Sequence, residues 1–155
     1  MEERFGIQVA GALNVRYYIP EYTLYVGDKC IYDGIKSNAR ILTIAVGKSS
    51  IVIVTDDPDL HKMVCDGYRD KRIGNMRAFS LDGTVIWHIN DLVNDIHYPF
   101  CLGYIVDATE RDVFANHQVP LLSDHEYYVG LTPLDEHYII DLTTNEFITK
   151  IGFRT

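Results

Sequence analysis

Short apolar runs broken by polar turns are the feature that most constrains how this chain can fold. The runs are rich in β-branched and aromatic residues, and a turn signal follows roughly every eight to twelve residues. No long amphipathic helix lies between the runs, which argues against a parallel α/β architecture. The pattern predicts a mainly β protein of about nine or ten short strands, with one or two short helical turns. We expect an antiparallel meander that forms a sandwich, a barrel or a strongly bent sheet.

Length and composition agree with this prediction. A chain of 155 residues falls within the usual size of one domain, so we expect a single β-rich domain over residues 1–155. Hydrophobic residues make up 47% of the chain and charged residues 23%, which is typical of a folded protein. Tyrosine and phenylalanine are abundant, and both favour half-buried pleated surfaces.

Two hairpins can be placed in the first half of the chain. Residues 23–35 contain apolar runs on either side of Gly27 and Asp28, and residues 47–50 separate the run 40–46 from the run 51–55. The last of these runs is almost continuously apolar, which predicts a central strand buried on both faces. Because consecutive elements usually lie side by side, the two hairpins are expected to pair in sequence as a meander.

A third hairpin is predicted over residues 76–89. It turns at Asp82 and Gly83, a dipeptide favoured in type I′ turns because both central positions need positive φ. Its second strand carries Trp87, the only tryptophan of the chain, and we expect this side chain to pack in the core.

The remaining segments are predicted as follows. Asp57 caps a short helix that begins at Pro58, and residues 90–96 form a loop or a single helical turn. Residues 108–111 form a polar turn between two apolar runs, and residues 143–145 turn the last pair of strands.

Three segments share one form, in which apolar residues flank an aspartate at or near a turn. They read AFSLDGTVIWHI from residue 78, YIVDATERDVFA from residue 104 and YIIDLTTNEFITKI from residue 138. They resemble the hairpins of quinoprotein-type propeller blades, in which a pattern of the form aldxxtGxxxW recurs. The resemblance implies blades of roughly forty residues, and this chain is barely long enough for the minimum of about four. Similar hairpins also arise in any meander.

The charge of the chain is uneven. Residues 1–78 hold 11 Lys and Arg against 10 Asp and Glu, whereas residues 79–155 hold 3 against 12. A field of this sign repels nucleic acid and attracts basic partners, although acidic loops can also serve only to keep an aromatic-rich protein in solution.

Tyrosines and carboxylates of the second half lie together in the sequence. Oligonucleotide-binding surfaces interleave Lys and Arg with aromatic rings, whereas here the rings lie among acids. This combination predicts a surface for a basic protein partner, with no nucleic acid bound. The candidate partner-binding residues are Asp124, Glu126, Tyr127, Tyr128, Asp135, Glu136 and Tyr138.

No established catalytic or metal-binding pattern occurs, and we expect no enzyme activity and no cofactor. The histidines at positions 61, 88, 97, 117, 125 and 137 form neither an HExxH nor an HxH motif. The best metal candidate is the set Asp56, Asp57, Asp59 and His61, but capping of a following helix explains these aspartates more simply. Cys65 or Cys101 with a histidine supplies the ingredients for nucleophilic catalysis, and a buried inert cysteine is the simpler interpretation.

Location is predicted from what the sequence lacks. The acidic start of the chain does not resemble a secretory signal, and no run approaches the roughly 20 apolar residues that span a bilayer. The three cysteines, Cys30, Cys65 and Cys101, are odd in number and far apart, so no disulfide framework is expected. We therefore expect a cytoplasmic protein that does not bind membranes.

In size, acidity, lack of catalytic motifs and lack of a signal, the chain resembles the small cytoplasmic immunity proteins of bacterial polymorphic and contact-dependent toxin systems. Many of those proteins cover the active site of a basic nuclease toxin with carboxylates. The resemblance implies a non-enzymatic inhibitor that binds a cognate toxin, and it assigns no individual residues. The alternatives are a small-molecule-binding or hydrolytic β-barrel with a Cys/His site, and a phage or other assembly subunit whose strand edges pair with copies of itself.

Overall fold

The computed structural model describes residues 2–4, 7–9, 15–18, 22–26, 28–56, 74–94, 96 and 98–152. The predicted mainly β fold is confirmed, since the described residues form thirteen strands and two short helices. The strands are β1 Glu2–Arg4, β2 Ile7–Val9, β3 Val15–Tyr18, β4 Thr23–Val26, β5 Lys29–Asp33, β6 Arg40–Val46, β7 Ser50–Asp56, β8 Met76–Ser80, β9 Val85–His88, β10 Leu102–Ile105, β11 Tyr127–Leu131, β12 Glu136–Asp141 and β13 Glu146–Gly152. The helices are α1 Ile89–Leu92 and α2 Ala108–Asn116.

The strands form three sheets. We call them the central sheet, in the order β1-β2-β6-β7-β8-β9, the C-terminal sheet, in the order β10-β11-β12-β13, and the three-stranded sheet, in the order β3-β4-β5. The pairings within them are antiparallel, except that β2 and β6 run parallel.

The central sheet is the middle layer of the fold. Alternate residues of β7 point to opposite faces, and both faces are covered. Ile51 and Ile53 pack with the three-stranded sheet, whereas Val52 and Val54 pack with the C-terminal sheet. All four side chains are fully buried. The prediction that this run forms a strand buried on both faces is therefore confirmed.

Helix α2 forms the outermost layer. Its Phe114 packs on the face of the C-terminal sheet that points away from the central sheet, against Tyr127, Val129 and Ile139. The order of the layers is therefore three-stranded sheet, central sheet, C-terminal sheet and α2, and the C-terminal sheet has apolar contacts on both faces.

The predicted pairing of the first two hairpins with each other is wrong. Both hairpins form, but β4 and β5 belong to the three-stranded sheet, whereas β6 and β7 belong to the central sheet. The edge of β6 that would have received β5 is instead paired with β2, with Ile44 opposite Ile7. Sequence reasoning did not identify β2 and therefore left this edge open.

The predicted turn at residues 108–111 is also wrong, because these residues begin α2. The side chain of Asp107 accepts a hydrogen bond from the backbone N–H of Glu110 at 2.9 Å, and the carboxylate of Glu110 accepts one from the N–H of Asp107 at 3.3 Å. This reciprocal capping stabilises the first turn of a helix. The middle one of the three repeated segments is thus a strand followed by a helix. The other two are hairpins in different sheets, so the three segments are not equivalent blades.

The hairpin of β8 and β9 forms as predicted, but its turn does not have the predicted type. Ser80 and Thr84 flank a three-residue loop, and of the predicted turn residues only Gly83 has positive φ, at 91°. A type I′ turn would require positive φ at Asp82 as well. Trp87 packs in the core between the central and C-terminal sheets, as predicted, and its indole N–H donates to Asn145 Oδ1 at 3.2 Å.

The other local predictions have mixed outcomes. Residues 90–96 are expected to form a loop or a single helical turn, and α1 provides the helical turn. Residues 142–145 form the expected last turn, with Asn145 at φ 60°. The helix predicted to begin at Pro58 lies outside the described residues.

Tyr128 ties the C-terminal sheet to the central sheet. Its ring is fully buried in the core between them, and its hydroxyl lies near the side chain of Thr43 on β6. Burial of the ring raises the pKa of Tyr128 well above the ordinary tyrosine value. A Cβ atom at Gly103 would overlap the Tyr128 hydroxyl, so only glycine fits at this position of β10.

Candidate functional site

The seven predicted partner-binding residues lie on or beside the hairpin of β11 and β12, but they do not form one surface. Asp124 and Glu126 precede β11, whereas Asp135 and Glu136 lie in or next to the turn that follows it. A five-residue strand is about 17 Å long, so the two carboxylate pairs are at opposite ends of the hairpin.

The three tyrosines of the predicted surface are buried, and their expected exposure is wrong. Tyr127, Tyr128 and Tyr138 are 2%, 0% and 1% exposed. Tyr127 faces α2, whereas Tyr128 and Tyr138 face the central sheet. Because both faces of the C-terminal sheet are covered where these rings lie, the rings stabilise the core and offer no area to a partner. Partner binding by the carboxylates stays a prediction.

Glu126 holds two sheets together at the first end of the hairpin. Its two carboxylate oxygens accept hydrogen bonds from the backbone N–H of Lys48, at 3.0 and 3.2 Å, in the turn between β6 and β7. Its own N–H donates to the hydroxyl of Thr143 at 2.9 Å. Three loops therefore meet here, and we call this region the loop cluster, comprising residues 47–49, 122–126 and 142–145.

A histidine–aspartate pair lies at the centre of the loop cluster. His125 Nδ1 lies 2.6 Å from Asp141 Oδ2, and the other oxygen of Asp141 accepts hydrogen bonds from the backbone N–H groups of Thr143, at 2.8 Å, and Thr144, at 3.1 Å. The carboxylate of Asp141 is buried. Asp124 Oδ1 lies 3.9 Å from the opposite ring nitrogen, Nε2 of His125.

The pair shifts the pKa values of both partners. The hydrogen bond to Asp141 raises the pKa of His125 and outweighs the opposing effect of desolvation. Burial alone would raise the pKa of Asp141, but the hydrogen bonds from His125 and from the two threonine N–H groups lower it below its usual value. Both shifts favour the ionised pair.

Arg111 of α2 clamps the loop in front of β11. Its guanidinium donates hydrogen bonds to the backbone carbonyls of Leu122, at 2.9 Å, and of His125. It also lies over the ring of Tyr127, 5.3 Å from the centroid, and the Tyr127 hydroxyl accepts a hydrogen bond from the N–H of Leu122 at 2.8 Å. The backbone of the loop is thus fixed by α2 and by the strand that follows.

The geometry is that of an ion pair set in a hydrogen-bonded turn. A protonated His125 that lies between Asp141 and Asp124 is a hydrogen-bond donor, and its raised pKa lowers the fraction of neutral imidazole that could accept a proton. Asp124 therefore lies exposed on a loop that this pair and Arg111 hold in place.

The second end of the hairpin carries a different arrangement. Asp135, at φ 60°, places Oδ1 2.9 Å from His137 Nε2. Glu136 forms an ion pair with Lys150 at 3.2 Å and lies 3.2 Å from the hydroxyl of Thr132. Glu136 is thus partly neutralised by its neighbour on β13, whereas Asp135 is exposed.

The other sequence candidates are distributed over the molecule. Cys30 and Cys101 are free and exposed, and their thiols donate to backbone carbonyls. Desolvation raises the pKa of Cys101.

His88 and His117 lie exposed at helix ends. Asp56 ends β7 and lies 3.7 Å from Arg40. The candidates outside the described residues are Asp57, Asp59, His61, Cys65 and His97. Within the described part of the chain, no three His, Cys, Asp or Glu side chains are grouped to hold a metal ion.

Sequence reasoning missed two groups that shape this region. The Asp-x-x-Glu spacing of Asp107 and Glu110 is the signature of a helix start and would have identified α2. The pairing of His125 with Asp141 leaves no local signal, because the two residues are 16 positions apart and meet only through the register of β11 and β12.

Comparison of the chain with protein-family models, with curated proteins and with solved structures finds no match in any of the three. In the described ranges, neither helix is long and apolar enough to cross a membrane. Function must therefore be inferred from the residues themselves.

Proposed function

We propose that this chain is a non-enzymatic protein-binding module that engages a basic partner through carboxylates of its second half. The observation that carries this proposal is the charge of the described surface from residue 79 to residue 152. Six carboxylates are exposed there, and both described cations of this region are engaged by other groups of the chain. The exposed carboxylates are Asp82, Asp91, Asp112, Asp124, Asp135 and Glu146.

The two cations cannot balance this surface. Arg111 donates to backbone carbonyls and stacks on a buried ring, so it is directed inwards. Lys150 is paired with Glu136. An excess of exposed carboxylates produces a negative potential that accelerates association with a basic protein and repels the phosphates of nucleic acid.

A basic nuclease is the kind of partner that this charge fits best. Its active site binds phosphates, and exposed carboxylates can occupy the same cationic groups. This mode of binding is that of the immunity proteins that the chain resembles in size and charge, and we propose an inhibitor of that type from a bacterium. The free thiols of Cys30 and Cys101 suit the reducing cytoplasm where such an inhibitor protects its own cell.

The chemistry of Cys101, the candidate nucleophile that the structure describes, supports this proposal over a hydrolytic one. The pKa of Cys101 is raised, which disfavours the reactive thiolate. The best-oriented histidine, His125, is held as an ion pair with Asp141 in the turn that it stabilises.

The proposal is tested by capture from the native cell, purification of the captured protein and measurement of its affinity. Asp112, Asp124 and Asp135 lie beside the C-terminal sheet or α2, and changing all three to asparagine removes three charges while keeping oxygen acceptors in place. We expect the dissociation constant to rise by about tenfold or more, mainly through slower association, with a weaker dependence on salt.

The matched control changes Asp28, Asp33 and Asp56 to asparagine, which removes the same charge from the described first half of the chain. For this control we expect the dissociation constant to rise by less than about threefold. Equal losses in both variants would mean that net charge alone matters. A captured partner that is acidic, or the absence of any stoichiometric partner, would contradict the proposal.

A further inference from the structure

The outer face of the C-terminal sheet is only partly covered by α2. Residues that pair directly across strands point to the same face, so the register identifies the rows of side chains on this face. The row nearest to α2 contains Tyr127, and the next contains Val129 and Ile139, which pack against the helix. A third row lies at the far end and consists of Leu102, Leu131, His137 and Ile151.

Three of the four side chains of the third row are apolar, and the fourth, His137, lies 2.9 Å from Asp135. Leu131 and Ile151 pack against the buried residues beneath α2 but are only half-buried, and Leu102 is 41% exposed. Tyr104, in the neighbouring row, is half-buried as well. We call Leu102, Tyr104, Leu131 and Ile151 the apolar strip.

The size of α2 explains why the strip is left uncovered. A nine-residue helix is about 14 Å long and about 10 Å wide, whereas rows of side chains on one face of a strand are about 7 Å apart. The helix therefore covers about two rows of the sheet, and the apolar side chains of the third row, Leu102, Leu131 and Ile151, are left half-buried or exposed.

Carboxylates lie near Tyr104 of the strip. The pKa of Tyr104 is raised to about 12, first by burial of the ring and then by nearby negative charge. The contributing carboxylates are, in order of effect, Glu110, Asp107 and Asp135. Two of them lie at the start of α2 and the third lies in the turn between β11 and β12, so negative charge lies on two sides of Tyr104.

We propose that the apolar strip and its carboxylate rim bind one segment of a partner protein in which apolar side chains alternate with Lys or Arg. The apolar side chains of the segment cover Leu102, Leu131 and Ile151, and its cations pair with Glu110 and Asp135. This inference rests on the proposed function and names the surface and the chemistry of the partner. Charge complementarity selects a cationic segment over a second copy of this acidic chain.

The test uses short synthetic peptides as probes and the full chain labelled for NMR. The first peptide alternates leucine with lysine, the second leucine with glutamate and the third serine with lysine. We expect the first peptide to shift the amide signals of Leu102, Tyr104, Leu131 and Ile151, and the second to shift none of them. The third peptide should bind about tenfold more weakly than the first, because it has no apolar side chains to bury.

Two variants separate specific pairing from general attraction. The variant changes Glu110 to glutamine, which can still cap α2, and Asp135 to asparagine, which tolerates the positive φ of that position. It should raise the dissociation constant of the leucine–lysine peptide by about tenfold. The control changes Asp28 and Asp33, beside and in β5 of the three-stranded sheet, to asparagine, which removes the same charge away from the C-terminal sheet and should change the affinity for this peptide by less than about twofold.

The outcomes for the strip and for the proposed function are distinct. Signals that shift only around the loop cluster would overturn the strip and leave the proposed function standing. Equal losses in the variant and the control would also overturn the strip. If neither lysine-containing peptide shifts any signal at low salt, both the strip and the acidic binding surface are wrong.

Discussion

Replacement of Asp141 by asparagine is expected to destabilise the loop cluster. The carboxylate receives hydrogen bonds from His125, Thr143 and Thr144, at 2.6, 2.8 and 3.1 Å. Asparagine has nearly the same shape and keeps an oxygen acceptor for the two backbone N–H groups, but it removes the charge. A hydrogen bond to a charged group contributes about 1 kcal/mol more than a neutral one, so three such bonds set an upper value of about 3 kcal/mol. Because the turn is close to solvent, we expect a loss of about 2 kcal/mol.

The assay is urea unfolding as a function of pH, combined with NMR titration of the His125 ring. Asp141 has a lowered pKa, so its contribution is present above the ordinary value of 3.8 and is lost as the pH falls through the lowered value. His125 has a raised pKa, so its contribution is complete below the ordinary value of 6.5 and is lost as the pH rises through the raised value. The difference between wild type and variant should therefore be largest between these two ordinary values.

Asp124 provides the control, because it also lies near His125 but its side chain is 85% exposed. Changing Asp124 to asparagine should alter the free energy of unfolding by less than about 0.5 kcal/mol. In the Asp141 variant the pKa of His125 should fall towards its ordinary value, and the melting temperature should fall by about 4–8 °C. An unchanged His125 pKa, or equal effects of the two variants, would refute the assignment of the ion pair as the stabilising element.

Three further predictions concern single residues. Gly103→Ala should lower the free energy of unfolding in urea by about 3 kcal/mol, because the added methyl group overlaps the buried hydroxyl of Tyr128. Gly152→Ala is the control and should be nearly neutral, because no atom lies within 4 Å of the added methyl group. Similar losses in the two variants would refute this packing. Glu126→Gln should cost about 1 kcal/mol and accelerate hydrogen exchange at the Lys48 amide, and unchanged exchange would show that the two sheets are not joined there. Cys101 should react with iodoacetamide at neutral pH more slowly than free cysteine, since its pKa is raised, and faster alkylation measured on its peptide would contradict that shift.

Local patterns predicted the strands and hairpins well, because each depends on residues that are close in sequence. The continuous apolar run of β7 indicated a strand covered on both faces, and the turns at Gly83 and at 143–145 were identified from turn residues. The assignment of strands to sheets depends on contacts between distant residues. The parallel pairing of β2 with β6 separates the first two hairpins, and no residue of either hairpin signals it.

The candidate site was less predictable for the same reason. Tyr127 and Tyr128 are consecutive, so their side chains point to opposite faces of the sheet. In a sheet with one face in solvent, one of the two would be exposed. Both are buried because α2 covers the second face. The capping residues Asp107 and Glu110 carry a local signal for α2, but the extent of sheet that the helix covers depends on tertiary packing.

The carboxylates around the apolar strip also explain how an open apolar row can persist on this chain. A half-exposed row that ends in Leu102, on the edge strand β10, would ordinarily favour association between copies. Each copy would bring Glu110 and Asp135 towards the same carboxylates of the other, and like charges brought together at an interface cost several kcal/mol. The rim therefore opposes self-association while it favours a cationic segment. In the proposed complex, the carboxylates that oppose self-association would also pair with the cations of the partner segment.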